Sequence, residues 1–327
     1  MKVLVTGADG FVGRHLVRSL EQSELEVIRG VRLAKESMPA GSVALGDISE
    51  LSMDRAAEFE GVSAIIHLAG FAHQPQKSAE QIEKCFKTNV EGTRRIVEMA
   101  KRISCGKVIY LSSIKAHGHF PKGRPVSESD RDDPDDSYGI SKLNAERLGM
   151  DLSARYGIQF VSIRPPLIYG PNVGANFLNL IKLVDLGPPL PFKSIANQRS
   201  LCFVGNLVDA IERIIHNPSV TSGTFYIADA RPYSTRNLLE AIAASLDRRI
   251  RLFSLPQKLV ESSCSWPKIG SMIEKMVSDS IVDTSKLRSY LNWEAPFSTD
   301  EGIRRTCLWY AHELERRDKR LFAATNR

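Results

Sequence analysis

Cysteine is scarce in this chain and follows no pattern. There are five among 327 residues, Cys85, Cys105, Cys202, Cys264 and Cys307, odd in number and without C-x-x-C spacing. That argues against a disulfide framework or a zinc site and suits a reducing compartment. Long apolar runs are missing too: none approaches the roughly 18 residues of a membrane-spanning helix. No signal-peptide pattern precedes the apolar segment Lys2–Thr6, so the expectation is a soluble, cytoplasmic protein. Aromatic residues make up only 7% of the chain. They do not interleave with basic residues, which excludes the stacking stripe that single-stranded nucleic acid requires. The net charge is +6, with much of the excess in Arg304-Arg305, Arg316-Arg317, Lys319-Arg320 and Arg327. This reads as a solvated basic helix, and the overall sign suits an anionic small molecule rather than nucleic acid.

What is present is an ordinary globular composition, 43% hydrophobic and 25% charged, with room for one large domain or two modest ones. Short apolar strands alternate with helices through the first half. Strands are expected at Lys2–Thr6, Glu26–Val31, Val43–Leu45, Ala64–Leu68, Lys107–Leu111 and Ile158–Ile163. Helices are expected at about Phe11–Leu20, as one long element across Ser78–Arg102, and from Tyr138 towards Tyr156. Such alternation predicts an α/β fold, a doubly wound parallel sheet covered on both faces. After Arg164 prolines punctuate the chain at Pro165-Pro166, Pro171 and Pro188-Pro189-Leu190-Pro191. We therefore expect a dinucleotide-binding domain over 1–165, a return to it near 199–217, and a smaller substrate-binding domain made mainly of 166–327.

The segment Thr6-Gly7-Ala8-Asp9-Gly10-Phe11-Val12-Gly13 follows the first strand and opens a helix. Glycines in that context allow a tight turn, close approach to a pyrophosphate, and tight helix packing, with phosphate held at the helix N-terminus. NAD sites of this design place an acid at the end of the second strand, for the ribose hydroxyls. Here the sequence reads Val27-Ile28-Arg29-Gly30-Val31-Arg32. Arg32, with Arg29 or Lys35 in support, would meet a 2′-phosphate, so NADP is expected over NAD. Asp47-Ile48 fits an adenine contact, and His67-Leu68-Ala69-Gly70 fits the turn beneath the nicotinamide half.

Tyr138 and Lys142 stand four residues apart on an expected helix and so share a face. A phenol ionises near pH 10 and is a weak base at neutrality; a neighbouring cation stabilises its phenolate. With Gly7, Gly10, Gly13, Asp47, the His67–Gly70 turn, Asn89, Ser113, Tyr138 and Lys142 in this order, the chain resembles the extended short-chain dehydrogenase/reductases, whose dinucleotide half is Rossmann-like. It is most similar to their nucleotide-sugar branch, related to UDP-glucose 4-epimerase. Leu111–Gly118 and Ile163–Pro171 further resemble a narrower group that includes bacterial reductases of UDP-4-keto-6-deoxy-N-acetylhexosamines, suppliers of lipopolysaccharide O-antigen sugars.

The resemblance implies that Tyr138 is the acid/base, that Lys142 lowers its pKa and holds the nicotinamide ribose, and that Ser113 hydrogen-bonds the reacting oxygen. It also implies that Asn89 fixes the active-site helix and its water or lysine relay. Asn176 and Arg199 match diphosphate contacts, Pro191 lies where uracil is held, and Lys115 is a further candidate substrate residue. It implies a UDP-sugar substrate and a homodimer through the helices around Ser78–Arg102 and Asp136–Tyr156. Dehydratases of the family carry an Asp-Glu pair after the catalytic hydroxyl; Ile114-Lys115 stand there instead. The missing strand-end acid and Ile114-Lys115 favour a C4 reductase using NADPH, with a 4-epimerase using bound NAD as the alternative. A non-catalytic dinucleotide-binding scaffold is the remote reading, since such proteins lose the Tyr or Lys kept here.

Overall fold

The computed structural model describes residues 1–33, 38–71, 78–255 and 276–325. Lys35 and Cys264 lie outside them. The first strand, β1 (Lys2–Thr6), buries Val3 and Val5 on one face and Leu4 on the other, as alternation along a strand requires. Burial on both faces is the mark of a central parallel strand. Beside it lie β2 (Glu26–Val31), β3 (Ser42–Ala44), β4 (Val62–His67), β5 (Lys107–Leu111), β6 (Gln159–Arg164) and, later in the chain, β9 (Gly223–Tyr226). They form one seven-stranded parallel sheet in the order β3-β2-β1-β4-β5-β6-β9. The order reverses between β1 and β4, and the crevice beyond the carboxyl ends at such a reversal is where doubly wound folds bind ligands.

One face of the sheet is covered by α1 (Phe11–Gln22), whose Leu16 and Leu20 pack with Val3 and Val5. The other is covered by α3 (Gly92–Arg102) and α4 (Ser137–Tyr156), whose Ile96, Val97 and Ala145 pack with Leu4, Ile65 and Phe160. The expected single helix over 78–102 is interrupted. The first part, α2 (Ala79–Phe86), passes through a π-helical turn at Lys87–Glu91 before α3 begins. Such turns insert one extra residue into a helix and are found mostly at functional sites.

Beyond Arg164 the chain forms β7 (Leu167–Tyr169), which pairs in parallel with β8 (Leu201–Phe203), and the helices α5 (Ala175–Leu186) and α6 (Val204–His216). α6 packs on α1, and the seventh strand of the main sheet follows at 223–226, further on than 199–217. The remaining helices are α7 (Thr235–Ser245), one at Ser285–Leu291 and one at Thr299–Thr325. Among the described residues no helix is long and apolar enough to cross a membrane.

A buried charged network ties α4 to the sheet. Arg164 and Glu146 are 3% and 2% exposed, which is rare for charged groups unless they are paired. Arg164 Nε donates to Glu146 Oε1 at 2.9 Å, Nη1 to Asp132 Oδ1 at 2.6 Å, and Nη2 to Asp132 Oδ2 at 2.9 Å. Ser162 Oγ donates to Glu146 Oε1 at 2.9 Å, and His117 Nδ1 lies 3.3 Å from Asp132 Oδ1. Strand β6, helix α4 and the loop that precedes α4 are thus held by one guanidinium.

Candidate active site

The turn after β1 is built to leave space. Gly7 takes φ +68°, and a Cβ there would stand 2.9 Å from the Ala69 nitrogen. A Cβ at Gly13 would stand 2.2 Å from the Gly7 carbonyl oxygen. Gly10 N–H donates to the Gly7 carbonyl at 2.9 Å, closing the turn, and α1 starts with no side-chain cap. Its first N–H groups are therefore open to an anion, where the helix dipole favours negative charge. Phe11 opens α1, Val12 is buried beneath it, and Asp9 is exposed with its carbonyl taken by Arg14 Nη1 at 2.7 Å.

Around this turn runs a cleft lined by Gly7, Asp9, Gly10, Arg32, Asp47, Ile48, Leu68, Ala69 and Gly70; of the expected cofactor residues, Phe11, Val12, Gly13, Tyr138 and Lys142 are not among those that line it. Thr88, in the π turn, also lines it and had no signal in the sequence beyond its neighbour Asn89. Asp47 Oδ1 accepts from Ser49 Oγ at 2.7 Å, which holds its carboxyl below the usual range, helped by the Arg32 charge. Arg32 thus faces a carboxylate in the cleft. Arg29 does not reach the cleft: its guanidinium pairs with Glu21 and donates to the Ala40 carbonyl. The support that the sequence assigned to Arg29 is withdrawn on that ground.

Beside the Gly70 side of the cleft, where a Cβ would stand 3.4 Å from Lys142 Nζ, the expected catalytic residues meet. Tyr138 sits in the first turn of α4, and its hydroxyl shares a hydrogen bond with that of Ser113. Ser113 caps a short 3-10 turn at Ile114–Ala116, just past the end of β5. Lys142 Nζ donates to the Leu111 carbonyl at 2.8 Å and stands over the Tyr110 ring, 4.6 Å from its centre. Burial drives Tyr138 up to about 12, opposed by the Ser113 bond. Burial also draws Lys142 down to about 8, opposed by the charge of Glu146. In the structure the Ser113 hydroxyl favours the phenolate, and Lys142, one helical turn along, is oriented by the Leu111 carbonyl.

Asn89 is buried in the π turn. Its Oδ1 accepts from the Phe71 N–H at 2.8 Å and its Nδ2 donates to Ser141 Oγ at 2.8 Å. Ser141 Oγ in turn donates to the Tyr138 carbonyl at 2.8 Å. Asn89 therefore fixes the catalytic helix, through a serine that sequence reasoning passed over. Asn89 Oδ1 and Lys142 Nζ both approach Gly70, where a Cβ would stand 3.0 and 3.4 Å from them.

His67, at the end of β4, is fully buried and bonds Thr6 Oγ1 at 2.8 Å; the same hydroxyl accepts from Ala69 N–H at 3.1 Å. Burial, with the Lys142 charge adding, holds its pKa down at about 3. An unfolded histidine titrates near 6.5. Between these values the unfolded chain binds the extra proton and the native one does not, so stability should fall as pH drops from about 6.5 to 3. Urea midpoints for wild type and His67→Asn across that window check this: the variant should lose part of the slope.

The substrate candidates are dispersed. Lys115 Nζ pairs with Asp136 Oδ2 at 3.0 Å. Asn176 is exposed in the first turn of α5, and Pro191 is half-buried. Arg199 is half-buried, its backbone bonded both ways to Tyr233. Burial lowers its pKa, and no side-chain partner balances its charge among the described residues, as a site for an anion would require.

Residues 3–228 match the NAD dependent epimerase/dehydratase family. A Vibrio cholerae UDP-glucose 4-epimerase is 32% identical over 308 residues, covering 93% of this chain and 94% of that protein. The N-acetyl-alpha-D-glucosaminyl-diphospho-ditrans,octacis-undecaprenol 4-epimerase of Escherichia coli O157:H7 is 25% identical, covering 93% of each. Among solved structures, MoeE5 in complex with UDP-glucuronic acid and NAD shares the fold at TM-score 0.78 and 24% identity, covering 96% of this chain and all of that one. By a match that spans both the glycine turn and the Ser113, Tyr138 and Lys142 set, the chain belongs to the NAD dependent epimerase/dehydratase family.

Proposed function

We propose that this protein moves hydride at C4 of a UDP-sugar, with Tyr138 as the proton carrier, and that it works as a 4-epimerase on retained NAD. The observation that carries the reading is the meeting of Tyr138 with Ser113, one helical turn from a lysine that approaches Gly70 on a cleft built around a glycine turn and an uncapped helix. The cradle suits a dinucleotide: Gly7, Gly10 and Gly13 leave the room a pyrophosphate needs, and Asp47, Ile48 and Leu68–Gly70 flank its two halves. A nicotinamide dinucleotide held there would supply the hydride acceptor and donor, and the positive charge of its oxidised ring would favour ionisation of Tyr138, which burial holds up at about 12.

Tyr138 then takes the proton of the C4 hydroxyl and gives it back, with Ser113 holding the oxygen as its charge develops. Lys142 is poised at about 8 to hold a ribose hydroxyl while its ammonium stays on the Leu111 carbonyl. Arg199 supplies a charge for the diphosphate, since a planar guanidinium suits paired bonds to phosphate. Ile114-Lys115 offer no carboxylate for eliminating water, which disfavours a dehydratase.

Arg32 on the cleft, with no acid at the end of β2, favours a second reading, a 4-keto reductase using NADPH. Incubation with UDP-glucose and UDP-N-acetylglucosamine, with no dinucleotide added, separates the two. The epimerase reading expects the C4 epimers to accumulate. Absence of product, with NADPH consumed when a UDP-4-keto sugar is supplied, would transfer the assignment to the reductase.

A further inference from the structure

The ion pair between Lys115 and Asp136 stands where two segments of the site interlock. Lys115 N–H donates to Ser113 Oγ at 3.2 Å. The Lys115 carbonyl oxygen lies against Gly139 in the first turn of α4, where a Cβ would come within 2.3 Å of it. Asp136 caps that same turn, its Oδ1 accepting the Gly139 N–H at 2.7 Å, while its carbonyl accepts the Ile140 N–H at 2.9 Å. The loop that presents Ser113 and the turn that presents Tyr138 are therefore docked backbone to backbone. The Nζ–Oδ2 contact of 3.0 Å closes the junction from outside.

We propose that Lys115 and Asp136 are a positioning pair that sets the Ser113–Tyr138 hydrogen bond and balances charge beside the phenol, so that Lys115 serves the tyrosine and not the substrate. The proposal rests on the reading of Tyr138 as proton carrier. Both side chains are about a third exposed, at 36% and 35%. Exposed pairs contribute little to folding, so the effect sits in local geometry and field.

The groups facing Tyr138 are Cys85 from α2, Tyr110 and Ser113 from β5 and its end, and Asp136 and Lys142 from its own helix; Lys115 acts through Asp136. After burial, the Asp136 charge is among the influences that make the phenol harder to ionise. Lys115 offsets that charge. Removing the cation should raise the phenol's pKa, and removing the anion should lower it.

The test is the pH dependence of kcat and KM for C4 epimerisation of UDP-glucose by wild type, Lys115→Met, Lys115→Arg and Asp136→Asn. Asparagine still caps a helix but carries no charge. Where Tyr138 acts as base, the rising limb of kcat should move to higher pH in Lys115→Met and to lower pH in Asp136→Asn. For Lys115→Met the loss at neutral pH should be roughly tenfold, the size of a one-unit shift, with KM nearly unchanged and Lys115→Arg restored. A merely structural role would depress both variants without opposite shifts, and that result overturns the proposal. A raised KM with intact kcat in Lys115→Met also overturns it and assigns Lys115 to the substrate. If wild type converts no UDP-sugar, the functional reading fails instead. Near-ultraviolet difference titration of the NAD-loaded protein against Tyr138→Phe, which needs no substrate, then decides the pair by the same opposite shifts.

Discussion

Tyr138→Phe should lower turnover by about a hundredfold to ten-thousandfold, the range of a lost general acid–base group, while dinucleotide affinity stays near that of wild type. The ring is retained, so the helix turn it occupies and the Ser141 bond to its backbone carbonyl at 2.8 Å persist. What disappears is the hydroxyl that Ser113 bonds, and with it the route for the C4 proton. Single-turnover rates on UDP-glucose and a fluorescence titration with NADH measure the two halves separately. Near-normal turnover would remove Tyr138 from the mechanism. Lost NADH binding would show that the tyrosine matters to the cradle more than to the proton.

Arg164→Met should destabilise the fold by about 3–5 kcal/mol, the cost of breaking a buried ion pair by removing one partner. The side chains of Arg164 and Glu146 are 4% and 2% exposed, so water cannot replace the guanidinium for Glu146. Arg164→Met together with Glu146→Leu should recover part of the loss, because the most deeply buried carboxylate is then gone, while Asp132, 22% exposed, keeps only its His117 contact among the described residues. Urea unfolding of the single and double variants gives the comparison. A single variant within 1 kcal/mol of wild type would mean that the network relaxes around its loss. The interest is more than stability, since Glu146 lies one helical turn beyond Lys142 and its charge helps keep that lysine protonated.

Local pattern made the alternating sheet legible. Val3, Leu4 and Val5 announce a strand buried on both faces, and Gly7, Gly10 and Gly13 announce the turn that follows. Tyr138 and Lys142 could be placed together because helical spacing alone brings them onto one face. The break at Lys87–Glu91 was illegible because no glycine or proline marks it within those residues; the turn packs against Ile48–Glu50 and the catalytic helix, partners distant in sequence. The pairing of Arg164 with Glu146 and Asp132 joins residues distant in sequence, which periodicity cannot see. The carbonyl of Leu111 that orients Lys142 leaves no mark in a one-dimensional pattern. Arg29 looked available only because its partners, Glu21 and the Ala40 carbonyl, meet it through the fold.

The π turn also separates two tasks that a continuous helix would have joined. One added residue rotates everything beyond it by about 100° relative to an uninterrupted α-helix. Helices α2 and α3 both pack on the catalytic helix, and α3, in the shifted phase, also reaches β4 and β5. Within the turn Thr88 lines the cleft while its neighbour Asn89 bonds Ser141 of the catalytic helix. A substitution at either of these neighbours is therefore felt by a different partner, the cleft at Thr88 and the helix seam at Asn89.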